Sequence, residues 1–294
     1  MTGAGDRDAL EPVPTAPPGR AGTPDQALVE RLRAAGCVYA EDEAELLVAA
    51  AGTPDALAEL VARRVAGEPL EHLLGWVDFG GVRVGVDPGV FVPRARSLLL
   101  VSAAVALTGP APAVVELCCG SGALSVLLAG RLAPRFHAAV DVDPVAVACA
   151  RRNLAGRGVP VYAGDLFDPL PAEWRGRLDL VVANAPYVPT EAVALMPPEA
   201  RLHEARVALD GGPDGLTVLR RVVAGAAEWL APGGHLVVEA GASQVAVLEA
   251  LLGEVGLVPT VVRDDDLGGT AVTGTRPPGR RSGSSGVAGR RDGN

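Results

Sequence analysis

The residues best equipped for chemistry are Asn184-Ala185-Pro186-Tyr187. They follow the apolar run Leu178-Asp179-Leu180-Val181-Val182-Ala183, which reads as a buried parallel strand. An amide, a proline-stiffened turn and an aromatic ring therefore stand at the carboxyl end of a strand. In open α/β sheets that edge is where ligands bind. These parts suit a planar amino group. The side-chain oxygen of Asn184 and the backbone carbonyl of Ala185 can each accept one N–H, and the face of Tyr187 can lie against the plane. Pro186 restricts Ala185 to extended conformations. The plainer use of Asn184 and Pro186 is as turn formers.

A second group lies upstream. Glu116-Leu117-Cys118-Cys119-Gly120-Ser121-Gly122 ends an earlier strand and opens a helix. Gly120 and Gly122 let a ligand approach the backbone and permit positive φ. Folds that bind NAD use similar glycines, but the full dinucleotide pattern needs a third glycine three residues after Gly122, and that position is Ser125. A smaller cofactor without a pyrophosphate fits better. Asp141 ends the next strand, where a carboxylate can accept from two ribose hydroxyls, and Asp143 lies two residues into the turn. Gly164-Asp165-Leu166-Phe167 follows a third strand. Asp165 can accept from an adenine amine, and Leu166 can pack on the adenine face. Asp141 could instead cap the helix that begins at Pro144. Three such groups in register on three successive strands point to a bound nucleoside. A catalytic thiol at Cys118 or Cys119 has no base near it in sequence, and adjacent cysteines suit neither a disulfide nor a shared metal ion.

With these residues in place, the stretch from about 100 to 275 resembles the Rossmann-like S-adenosylmethionine-dependent methyltransferases. Asn184-Ala185-Pro186-Tyr187 is similar to the Asn-Pro-Pro-Tyr tetrapeptide of enzymes that methylate planar amino groups, either glutamine side-chain amides or the exocyclic amine of adenine. Three further segments resemble HemK-type protein glutamine N5-methyltransferases: Gly67-Glu68-Pro69-Leu70-Glu71-His72-Leu73-Leu74-Gly75, Val86-Asp87-Pro88-Gly89-Val90-Phe91-Val92-Pro93-Arg94 and Ala208-Leu209-Asp210-Gly211-Gly212-Pro213-Asp214-Gly215-Leu216. The resemblance then runs from about residue 57 to 275.

It implies S-adenosyl-L-methionine as cofactor, bound by Glu116, Cys118, Cys119, Gly120, Ser121, Gly122, Asp141, Asp165, Leu166 and Asn184. It implies catalysis by Asn184, Ala185, Pro186 and Tyr187. The substrate it implies is the glutamine of the Gly-Gly-Gln loop of a peptide-chain release factor, docked in part by an amino-terminal helical domain. The chain departs from the family at four places. Cys118 stands for a glycine, and Ala185 for the first proline. Ala95-Arg96-Ser97 stands where Pro-Glu-Thr is usual, which reverses a charge. The helical domain looks shorter than usual. These mark a divergent member and leave another protein substrate open. Two alternatives remain: an adenine amino-methyltransferase acting on nucleic acid, which would flip a base out of any duplex, and a non-catalytic cofactor-binding partner module.

The elements that must position these residues are legible in outline. Residues 1–22 lack periodicity and read as disordered, and residues 276–294 read as a flexible basic tail. Residues 23–75 read as a helical domain. Thr23-Pro24-Asp25-Gln26 predicts a capping box with Pro24 at the first helical position. Thr53-Pro54-Asp55 opens another helix, with Leu57, Leu60, Val61 and Val65 on one face and Gly67 after its end. Glu41–Ala51 supplies a helix between them. Residues 76–98 read as a hairpin linker around Gly80-Gly81.

Over residues 99–275 strands alternate with helices, which predicts an α/β, mostly parallel, doubly covered sheet. Only Asp264–Gly269 separates the last two strands, so the final strand should run antiparallel. The net charge of -9 argues against a chain built to grip phosphate backbones. Direct nucleic-acid binding is therefore not expected. No apolar run is long enough to span a bilayer, and no signal segment opens the chain. The four cysteines show no Cys-x-x-Cys spacing. Reduced thiols and a cytoplasmic location are the expectation.

Overall fold

A computed structural model describes residues 24–278. The first helices are α1 (Gln26–Ala34), α2 (Ala40–Ala50), α3 (Pro54–Val65) and the short α4 (Leu70–Leu74). They bury Leu32, Ala40, Ala44, Leu47 and Val61 as a small core of their own. Contrary to the capping pattern, Pro24 is not the first helical residue. Asp25 is the N-cap, its carboxylate accepting from Ala27 N, and the helix starts at Gln26. Thr23 itself lies outside the described residues. At α3 the expectation holds: Thr53 accepts from Ala56 N, with Pro54 in the first turn.

The hairpin β1 (Trp76–Phe79) and β2 (Val82–Gly85) turns at Gly80-Gly81, as the alternation predicts. A 3-10 turn over Ala95–Ser97 leads into α5 (Leu98–Leu107). Then follow β3 (Ala113–Leu117), α6 (Ala123–Leu132), β4 (Phe136–Asp141), α7 (Pro144–Asn153), β5 (Val161–Ala163) and β6 (Leu178–Ala183). An insertion carries the short helices α8 (Pro198–His203) and α9 (Arg206–Leu209), which the pattern does not announce. The chain closes with α10 (Thr217–Trp229), β7 (Leu230–Glu239), α11 (Val245–Glu254), β8 (Val258–Asp264) and β9 (Gly269–Thr275).

The sheet order is β5-β4-β3-β6-β7-β9-β8, with β9 antiparallel to both neighbours and the other pairs parallel. The final strand is thus antiparallel, as expected, but it inserts between β7 and β8. The chain builds outward from β3 through β4 to β5, then returns to build outward from β6. The switch point falls between β3 and β6, which places the ends of those two strands at a ligand-binding crevice.

Alternation along β3 feeds two cores. Val115 and Leu117 pack with Leu219, Val222, Trp229 and Leu248 under α10 and α11. Val114 packs with Leu100, Leu127 and Val147 under α5, α6 and α7. Arg276, predicted to begin the tail, still belongs to the sheet. Its N–H donates to Gly234 O and its carbonyl accepts from Gly233 N, each at 2.9 Å. The predicted disordered residues 1–22 and most of the predicted tail lie outside the described residues.

Candidate active site

A cavity of about 320 Å3 lies over the carboxyl edge of β3, β4, β5 and β6. Its lining contains every predicted site residue except Gly122. That glycine has φ 77°, and a Cβ there would meet Leu154 at 3.1 Å, so it serves to seat the loop on α7.

The backbone is strained where the loops after β3 and β5 face the cavity. Cys118 and Leu166, neither of them glycine, take φ of 53° and 49°, and Gly120 takes 54°. Left-handed backbone at non-glycine positions costs roughly 1–2 kcal/mol and concentrates at ligand sites. Asp141 ties two loops together. Its Oδ2 accepts from Gly120 N at 2.8 Å and its Oδ1 from Asp143 N at 2.9 Å. Burial pushes its carboxyl up. It does not cap α7; Asp143 does, accepting from Val145 N. Asn153 braces the loop from behind, donating to Ser121 O and Gly85 O, each at 2.8 Å. Asp165 is held by Arg221 at 2.8 Å.

Glu116 is buried and accepts from Ser125 N at 2.8 Å. Burial pushes its carboxyl up to about 8. Burial also drives both the Cys118 and Cys119 thiols upward, away from the thiolate that a nucleophile needs.

Asn184 and Tyr187 join a polar cluster that sequence reasoning missed. Asn184 Nδ2 donates to Ser97 Oγ at 3.1 Å, and Ser97 Oγ donates to Glu239 Oε2 at 2.5 Å. The other carboxylate oxygen, Oε1, accepts from Arg96 Nε and from Tyr187 Oη, both at 2.8 Å. Arg96 Nη2 also donates to Tyr187 Oη at 2.9 Å. Burial and the Glu239 charge push the Tyr187 phenol up to about 12, so it stays a donor. The signal for Glu239 was present: it is a polar residue closing the apolar strand β7, as Asn184 follows β6. Arg96 and Ser97 stood out only as departures from the family, and nothing local told that they meet β7.

The segment Ala208–Leu216 has a physical reason to be glycine-rich. It runs against the backbone of the Asn184–Tyr187 loop. Gly211 N donates to Val188 O at 2.8 Å, and Val188 N to Leu209 O at 3.2 Å. A Cβ on Gly211 would lie 2.7 Å from Pro186 O. Gln244 Nε2 donates to Tyr187 O at 2.8 Å and fixes the loop from the other side.

The site can take a nucleoside-bearing cofactor. Gly120 faces open space where a side chain would otherwise stand, and Ser121 Oγ is buried without a partner. The Asp141 carboxylate and the loop's backbone donors suit ribose and carboxylate groups. Among the described residues, no cluster of His, Cys, Asp and Glu could hold a metal ion.

Sheet order, switch-point cavity and glycine loop together define a Rossmann-like S-adenosylmethionine-dependent methyltransferase. Residues 82–220 match the methyltransferase small domain model. A methyltransferase structure from Pyrococcus furiosus overlays with TM-score 0.53 at 15% identity, covering 75% of this chain and 99% of that one. A release factor glutamine methyltransferase of Geobacter sulfurreducens is 38% identical, over 74% of this chain and 76% of that protein. A 4-amino-L-phenylalanine/4-methylamino-L-phenylalanine methyltransferase of Streptomyces pristinaespiralis is 36% identical, over 67% of this chain and 69% of that protein. The chain belongs to the release factor glutamine methyltransferase family.

Proposed function

We propose that this protein methylates the side-chain amide nitrogen of a protein glutamine, the Gly-Gly-Gln glutamine of a peptide-chain release factor. The observation that carries the reading is the meeting of Asn184 and Tyr187 with the Gly120 loop and Asp141 around one cavity. S-adenosylmethionine supplies a methyl group on a sulfonium, which is a good leaving group. Asp141, Gly120, Ser121, Asp165 and Leu166 would hold its nucleoside and amino-acid parts, with Glu116, Cys118, Cys119 and Gly122 shaping the loop.

An amide nitrogen is a poor nucleophile because its lone pair is delocalised into the carbonyl. Asn184 Oδ1 and the Ala185 carbonyl accept its two N–H groups, fix its plane and polarise it. Tyr187 covers the face of that plane, and Pro186 stiffens the turn. Positioning and electrostatics do the work, and no base is needed before transfer, because the proton leaves once the nitrogen carries positive charge.

The boundaries 23–75, 76–98 and 99–275 mark a helical docking domain, a hairpin linker and the catalytic domain in this reading. Arg64 on α3 supports a docking role. It pairs with Glu43 inside the helical unit and with Glu199 on α8 at 2.6 Å, and the insertion that carries α8 also supplies Met196 and Val207 to the cavity wall. No described helix is long and apolar enough to cross a membrane. A cytoplasmic location, where release factors act, and the absence of direct nucleic-acid binding belong to the same proposal.

The Streptomyces pristinaespiralis relative favours a second reading, a free aromatic amine as acceptor, which needs the same two N–H acceptors. Asn184→Ala separates binding from catalysis. Turnover should fall by about 100-fold or more, while calorimetric affinity for S-adenosylmethionine, to which Asn184 is one contributor among several, is largely spared. Near-normal turnover would refute the amide-holding role.

A further inference from the structure

We infer that Glu239, acting through Ser97, decides which end of the Asn184 amide faces the cavity. The inference rests on the reading of Asn184 above and names two positioning residues that neither motif nor family resemblance assigns.

Hydrogen-bond polarity sets the direction of the amide. Glu239 is buried, with a side chain only 3% exposed, and Arg96 supplies its counter-charge at 2.8 Å. A carboxylate only accepts. Its Oε2 lies 2.5 Å from Ser97 Oγ, so the single hydroxyl proton of Ser97 is spent on Glu239. Ser97 Oγ then has only lone pairs left for Asn184, 3.1 Å away. It can receive Nδ2–H, and it would repel Oδ1. The amide is therefore turned with its nitrogen toward Ser97, and Oδ1 is left for the cavity.

That direction matters because the two ends of an amide have the same shape and opposite chemistry. With Oδ1 inward the site accepts from N–H groups. With Nδ2 inward it would offer donors to a carbonyl or carboxylate and repel an amino group. Glu239 also accepts from Tyr187 Oη at 2.8 Å, so one carboxylate orients both the amide and the ring. Arg96 keeps this arrangement self-consistent, since it donates to Glu239 and to Tyr187 Oη and takes a proton from neither. The charge reversal at position 96 thus sits inside this cluster, where it neutralises Glu239.

The test compares Ser97→Ala, Ser97→Thr and Glu239→Gln in the full chain by two readouts. The first is steady-state methylation of a release factor. Ser97→Ala and Glu239→Gln should lower kcat about 10- to 100-fold, leave the KM for S-adenosylmethionine near wild type, and Ser97→Thr should restore most of the rate. The second needs no substrate: NMR hydrogen exchange of the Asn184 side-chain amide. Exchange of one Nδ2 proton should be slow in wild type and Ser97→Thr, and faster in Ser97→Ala.

Unchanged exchange in Ser97→Ala overturns the inference, as does wild-type kcat in either Ser97→Ala or Glu239→Gln. If the wild-type protein does not methylate a release factor, the substrate reading falls and the exchange comparison still decides this one. If Glu239→Gln does not fold, the Ser97 pair decides.

Discussion

Gly215→Ala should disable the site from a residue that touches no substrate. Gly215 has φ 75°, and a Cβ built there would fall well inside contact distance of the Tyr187 carbonyl oxygen and 2.5 Å from Gln244 Nε2, where ordinary contact begins at 3.4 Å. The loop carrying Tyr187 must then move by on the order of 1 Å, and the Gln244–Tyr187 hydrogen bond is lost. Left-handed backbone at alanine costs roughly 1–2 kcal/mol, overpacking about 1–3 kcal/mol and the lost bond about 1 kcal/mol.

The expected destabilisation is about 3–6 kcal/mol, which in a protein of this size lowers Tm by roughly 5–10 °C. A 1 Å displacement of a catalytic group can cost about 100-fold in rate. Thermal unfolding and kcat measured together on one preparation check both. Gly253→Ala is the control: it lies in α11, where a Cβ meets nothing within 4 Å, and it should hold or raise Tm by about 1–3 °C. Wild-type Tm and kcat in Gly215→Ala would refute the claim that this segment braces the Tyr187 loop.

Two further outcomes are expected. Ala185→Pro should keep activity, because the proposed contribution of residue 185 is its carbonyl and, among the described residues, its N–H donates to nothing; gross loss of turnover would mean the loop geometry depends on alanine. Glu116→Gln should flatten the pH dependence of stability, read as Tm against pH. Glu116 holds its proton in the folded state up to about 8, against 4.5 for the free group, so its contribution is complete below 4.5 and is lost as pH rises toward 8, at up to about 1.4 kcal/mol per pH unit. An unchanged Tm–pH curve in the variant would show that Glu116 does not hold that proton.

Much of the site was legible because its parts lie at strand ends, and a strand end is visible in one sequence. Asn184, Asp141 and the Gly120 loop each follow an apolar run, and parallel pairing brings those ends to one edge. What stayed hidden lies in partners distant in sequence. Ser97 meets Glu239 across 142 positions and Asn184 across 87, and no local pattern encodes such contacts. The α8–α9 insertion was invisible for another reason. Its helices are 6 and 4 residues long, too short to show a period. Helix α1 starts at Gln26 rather than at Pro24 because Asp25 offers the capping chemistry one position before it and takes the cap.

The most direct test of the central claim is mass spectrometry of a release factor after incubation with this protein and S-adenosylmethionine. The account predicts a mass gain of one methyl group on the Gly-Gly-Gln glutamine, absent with Asn184→Ala. An unmodified glutamine, from a preparation shown to bind S-adenosylmethionine, would contradict it.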